Sequence, residues 1–159
     1  MAVIGYVTVA EASEYIQTRY ASTDELREAW EAMDEADQAV YLQKSFDAIN
    51  ILPFRGRKYA AGQEAAFPRW PDPEVPLAIK YAQIENALTL TDTSAQEDAA
   101  FYEKMWQYGV ESYRIGNLSE SSSNGSWGRS GSSTATRSVT SAQALNLLQP
   151  YLMGGFSIE

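Results

Sequence analysis

Four of the six prolines (Pro68, Pro71, Pro73 and Pro76) fall within nine residues near the middle of the 159-residue chain. Proline fixes φ, lacks an N–H and pushes the residue before it toward extended geometry, so no helix runs through such a cluster. Apolar residues recur at helical spacing before residue 52 and after residue 75, but not between them. This pattern predicts helices on either side of a stiff, non-helical crossing. The crossing also holds Phe54, Tyr59, Phe67 and Trp70. A loop with that much aromatic surface is expected to pack down.

Start and stop signals divide the flanks into helices. Thr8 and Glu11 have capping-box spacing ahead of a face made by Ala12, Tyr15, Ile16 and Tyr20. A second start at Thr23 and Asp24 leads into Leu26, Ala29, Trp30 and Met33. Asp34 is the expected N-cap of a longer helix over 36–50, whose face is Ala39, Leu42, Phe46 and Ile49. Past the crossing, Pro76 suits the first turn of the next helix. There, Leu77, Tyr81, Ile84 and Leu88 form one stripe, and Ile79, Ala82 and Asn86 a second beside it. Two adjacent stripes predict burial over a wide arc. Ser94 and Glu97 open a further helix that Gly109 ends, and Trp30, Phe46 and Trp106 are expected in the core.

After Gly109 the period changes to two across 110–117, which is compatible with a strand. Residues 119–138 hold nine Ser, three Gly and two Thr, the composition of a flexible loop or of a hairpin anchored by Trp127. Thr140 and Gln143 repeat the capping-box spacing, and Ala144, Leu145, Leu148 and Tyr151 form a short amphipathic face ended by Pro150 and Gly154. The expected fold is mainly α: a small bundle of four to five helices, a Pro-rich crossing loop, a short β element or hairpin and an extended C-terminal arm. The expected segments are a helical domain over 1–116, a Ser/Gly-rich loop or hairpin arm over 117–139, and a C-terminal helix and tail over 140–159.

Composition narrows the chemistry. There is no cysteine and no histidine. Disulfides, thiolate nucleophiles, zinc knuckles and imidazole bases are therefore excluded, and an enzyme is disfavoured. Asp34, Glu35 and Asp37 lack the further oxygen ligands and glycine of a calcium loop, so they read as caps and a solvated face. No catalytic residue, cofactor site or metal site is expected. Residues 1–20 lack the basic start of a signal peptide, and no apolar run approaches the roughly 20 residues of a membrane span. A soluble protein of a reducing compartment is expected, with no membrane partner.

Charge is unevenly placed. The 12 Lys and Arg against 21 Asp and Glu give a net charge of −9. Residues 1–50 carry ten of the acids and only three bases. The one basic cluster is Arg55, Arg57 and Lys58, set between Phe54 and Tyr59, with Arg69 and Trp70 further along the same loop. Such a cluster holds phosphates while its rings stack bases, or it pairs with acidic helices of this chain or of an identical neighbour. Three adjacent bases are few for a strong salt-dependent affinity, which favours the pairing.

As a whole the pattern resembles a known family. In order it runs "TVAEASEYI", "AWEAMDEADQAVYLQKSFDAIN", "FRGRK", "FPRW", "EVPLAIKYAQIENAL", "ESYRIGNLSES" and "LLQPYL". This resembles the small tailed-bacteriophage proteins labelled DnaT-like single-stranded-DNA-binding proteins, themselves similar to the head–tail adaptor, or head-completion, proteins of phage necks. The resemblance implies a virion structural subunit made in the host cytoplasm and placed at the head–tail interface. It would form a homo-oligomeric ring, typically of twelve copies, that binds the portal protein and receives the stopper, tail-terminator or tail protein. DNA would pass along its channel without specific binding, past acidic walls that do not grip phosphates. On this reading Arg55, Arg57, Lys58, Arg69 and Trp70 make subunit or portal contacts, and Trp127, Tyr151 and Phe156 anchor the arm. The alternative is a single-stranded-DNA-binding module that uses the same basic loop.

Overall fold

The structure is a computed structural model that describes residues 3–92, 112–115, 118–121 and 139–153. It is mainly helical. The described residues form α1 (Val9–Arg19), α2 (Glu25–Ala32), α3 (Glu35–Asn50), α4 (Leu77–Thr91) and α5 (Ala142–Leu148), the last running into a 3₁₀ turn, Gln149–Tyr151. The chain divides into two compact units, residues 1–92 with 132–159, and residues 93–131. In the second unit β1 (Ser112–Ile115) pairs antiparallel with β2 (Leu118–Ser121), with Tyr113 opposite Glu120. The helix expected after Ser94, with Trp106, lies outside the described residues, as do Trp127 and Phe156.

Local signals place the first three helices. At α1 the Glu11 N–H donates to Thr8 Oγ1 at 3.1 Å and the Thr8 N–H donates to Glu11 Oε2 at 2.7 Å, closing the expected capping box. Asp24 caps α2 by accepting from the Leu26 N–H at 3.0 Å. Asp34 caps α3 by accepting from the Asp37 N–H at 2.8 Å. Two starts differ from expectation. Pro76 is the N-cap of α4 rather than a first-turn residue, and its carbonyl accepts from the Ile79 and Lys80 N–H groups. The cap of α5 is Ser141, which accepts from the Ala144 N–H at 3.2 Å, and not Thr140, whose N–H and hydroxyl both donate to Asn86 Oδ1, at 3.0 and 3.3 Å.

The first unit is built around α4. Ile79 and every residue from 82 to 88 are buried, so the middle of this helix meets protein on all sides rather than on one arc, whereas Leu77, expected in a buried stripe, is exposed in the first turn. That burial includes Gln83, Glu85 and Asn86, and burying unpartnered polar groups is costly. Each is partnered. Gln83 accepts from the Tyr6 N–H at 3.0 Å and donates to the carbonyls of Ile4 at 2.9 Å and Leu42 at 3.0 Å. Asn86 donates to Ser45 Oγ at 3.2 Å and also accepts from the Ser141 N–H at 3.4 Å. One helix thereby ties down the N-terminal turn, α3 and the start of α5.

Two apolar clusters flank α4. One gathers Val7, Ile16, Trp30, Leu42, Ile84 and Leu88; the other gathers Tyr6, Ile49, Phe54, Phe67, Ile79 and Leu148. Trp30 is fully buried, as expected, and its indole N–H donates to Ser13 Oγ at 3.2 Å. Phe46 is only half-buried and meets Tyr6 edge-on at 5.0 Å, over the turn that contains Gly5. Gly5 has φ +67°, and a Cβ there would lie 2.4 Å from Phe46 Cδ2 and 2.8 Å from Phe46 Cβ. Gly5→Ala combines backbone strain with overpacking and should lower stability by about 2 kcal/mol, read from the urea midpoint.

Candidate functional site

The proline-rich crossing is held as an ordered loop by two short ladders. On one side the Tyr59 N–H donates to the Pro68 carbonyl and the Trp70 N–H to the Arg57 carbonyl, both at 3.1 Å. On the other, the Arg55 N–H donates to the Tyr151 carbonyl and the Met153 N–H to the Pro53 carbonyl, both at 2.8 Å. The C-terminal residues 151–153 therefore form an outer edge of a loop almost a hundred positions earlier. Beneath them lies an aromatic platform of edge-on rings. Phe67 meets Phe54 at 4.8 Å, Tyr151 at 5.8 Å and Tyr6 at 6.1 Å. Burial pushes the pKa of the Tyr6 hydroxyl up, partly offset by backbone N–H groups at Phe67 and Ala66 and by the Arg69 charge.

Arg69 is the clamp of this loop. Its guanidinium donates to four carbonyls: Arg55 and Gly56 at 2.6 Å, and Phe54 and Ala66 at 3.1 Å. It also lies 5.9 Å from the centres of both the Phe54 and Phe67 rings. Two other cations, both on the surface, also bond carbonyls. Arg55 Nε donates to the Leu152 carbonyl at 2.6 Å, and Lys58 Nζ donates to the carbonyls of Gln63 at 2.8 Å and Glu64 at 2.9 Å. Carbonyls satisfy these donors without cancelling their charge. The ion pairs among the described residues, Arg19 with Glu85, Arg27 with Glu31 and Lys80 with Glu11, all lie elsewhere.

Arg57 differs from the rest. Its guanidinium stacks over the Trp70 ring at 5.1 Å, and Trp70 is 57% exposed. Tyr59 on the same loop is 48% exposed. The structure thus brings Arg55, Arg57, Lys58, Arg69 and Trp70 together on one loop. It divides their work: Arg69 is half-buried and holds the fold, whereas Arg57 and Trp70 form an outward ledge. Tyr151 sits in the platform against Phe67.

Beside the ledge is a cleft of about 190 Å³, and Trp70, Tyr151, Arg55, Asp72 and Glu74 are among its lining residues. The two acids and Tyr151 were not picked out as neighbours of Trp70 by sequence reasoning. No local pattern links position 151 to position 70; the signal lies in the 53–55 and 151–153 pairing. An exposed ring under a guanidinium, ringed by uncancelled cations, is suited to stacking a planar group and holding its anionic substituents. Among the described residues no cluster of three or more acids could hold a metal ion, and no helix is long and apolar enough to cross a membrane.

Fold and loop together define a mainly α-helical protein with a cationic, aromatic surface loop. A family model described as "Putative DnaT-like ssDNA binding protein" matches residues 5–158, and the chain belongs to that family. Searches of the curated proteins and of the solved structures found no match.

Proposed function

We propose that the protein binds single-stranded nucleic acid at the 54–70 loop and performs no catalysis. The Arg57–Trp70 ledge stacks an unpaired base, and the surrounding cations hold the adjacent phosphates. The observation that carries this reading is the exposed Trp70 ring beneath Arg57, on a loop whose cations have no ion pair among the described residues. The family's description points the same way. The acidic surface of α1–α3 repels phosphates, which confines contact to the loop.

With about three phosphates held, log K should fall with log salt at a slope of about −2. Trp70→Ala removes one stacked base and should weaken binding about tenfold or more. Arg57→Ala should weaken binding and make the slope shallower by about one phosphate's share. Absence of retention on a single strand at about 50 mM salt would end this reading.

A second reading rests on the segregation of charge. Glu11, Glu14, Glu25, Glu28, Glu31, Asp34, Glu35, Asp37 and Asp47 are all exposed, and they face no cation of the basic loop within ion-pair distance. One molecule's loop therefore complements another's helices, the condition for a head-to-tail contact that closes into a ring. On this reading the chain is a phage-neck subunit, in a ring of about twelve copies between the portal and the stopper or tail, and DNA passes through unbound. The mass of a mixture with portal separates the readings: ring-sized complexes support the neck role, and free monomer counts against it.

A further inference from the structure

We propose that the cleft beside Trp70 admits one unpaired nucleobase carrying an exocyclic amino group, and that Asp72 and Glu74 read that group. The inference rests on the nucleic-acid reading above and adds a base preference to it. At about 190 Å³ the cleft is smaller than the roughly 300–1,000 Å³ of ordinary small-molecule sites, so it suits one ring system rather than a whole cofactor. Its walls are flat and largely apolar: Phe67, Trp70, Tyr151 and three prolines. Rings of this kind take a base by stacking irrespective of its identity.

Identity must come from the polar lining, and there donors and acceptors are unequal. The guanidinium of Arg69 is already bonded to four carbonyls, and Arg55 Nε to a fifth. The Asp72 and Glu74 carboxylates have no hydrogen bond or ion pair among the described residues. An ionised carboxylate only accepts, so its partner must donate. Cytosine, adenine and guanine present an amino group; thymine presents carbonyl oxygens where cytosine has its amino donor, and its single N3–H lies between two carbonyl oxygens that repel a carboxylate. Carboxylates also repel a strand's phosphates, and the compensating charge comes from Arg57 outside the cleft and from Arg55 in its lining. The surface thus discriminates by base while its cations hold the backbone.

The test compares oligo(dC) and oligo(dT) of equal length at one salt concentration, on the wild-type chain and on Asp72→Asn/Glu74→Gln. Both positions are exposed, so thermal unfolding should confirm an unchanged fold. Oligo(dC) should bind about tenfold more tightly than oligo(dT) to the wild type. The double variant should bring the two to parity, since its amides can donate to thymine as well as accept from cytosine. Loss of negative charge alone strengthens both oligonucleotides by one factor and leaves their ratio unchanged. Binding of both with equal affinity, or a ratio that survives the double substitution, overturns the base preference and leaves the loop reading intact. Binding of neither overturns both.

Discussion

Glu85→Ala is expected to lower the stability of the chain by about 3 kcal/mol, the scale of removing one ionised acceptor shared by two hydroxyls. Glu85 is 2% exposed on the central helix α4. Its carboxylate accepts from the Tyr15 hydroxyl at 2.7 Å and the Tyr20 hydroxyl at 2.5 Å, and lies 3.5 Å from Arg19 Nε. With its amide nitrogen turned toward α4, Gln143 adds donors at 3.2 and 3.3 Å. One carboxylate therefore fastens α1, the residue that follows it and α5 to the middle of the unit. Alanine removes the acceptor shared by two part-buried hydroxyls. Glu85→Gln keeps one acceptor oxygen and should cost about half as much. Urea unfolding followed by circular dichroism measures both.

The same network sets an alkaline limit. Burial, and then the hydrogen bonds to Glu85, raise the pKa values of Tyr15 and Tyr20 above their ordinary value of 10.0. The folded state keeps protons that the unfolded chain releases near pH 10. This contribution is complete below pH 10 and is lost as pH rises further, so the urea midpoint should fall with alkalinity. Tyr15→Phe combined with Tyr20→Phe should flatten that fall. A midpoint as pH-sensitive as the wild type's in this double variant would refute the assignment.

Arg69→Ala should cost about 3 kcal/mol, with the damage centred on the 54–70 loop. A charged donor is worth about 1.5–3 kcal/mol per hydrogen bond, discounted here because the site is only half-buried. The substitution releases the carbonyls of Phe54, Arg55, Gly56 and Ala66 together. Arg69→Lys should rescue little, because an ammonium cannot span four carbonyls in the plane of a guanidinium. Hydrogen exchange should locate the loss: amides at Tyr59 and Trp70 exchange faster, while those of α1 and α2 hold. If Arg69 served only as an outward contact, its removal would leave stability unchanged.

These two residues also mark where sequence reasoning succeeds and where it stops. Thr8 with Glu11, Asp24 and Asp34 announce helix starts because a cap depends on residues three or fewer positions away. The basic, aromatic character of the loop was equally legible, since it follows from composition. Gln83 and Glu85 were not legible as buried residues. Their partners, Tyr6, Tyr15 and Tyr20, lie 65 to 77 positions earlier. Nor does a string of arginines reveal which guanidinium is spent on carbonyls, because that depends on how the loop turns back on itself. Thr140 illustrates the competition in miniature. It can cap a helix, but Asn86 claims it, and Ser141 caps α5 instead.

The pairing of residues 53–55 with 151–153 has a consequence for the life of the protein in the cell. Arg55 is held by a carbonyl 97 positions further along the chain. Closing so long a span is slow compared with winding a helix, and it cannot begin until Leu152 has left the ribosome. A half-made chain therefore carries the arginines and the tryptophan without the edge that arranges them. The loop therefore takes its folded arrangement only after residues 151–153 have been made, well after α1–α4.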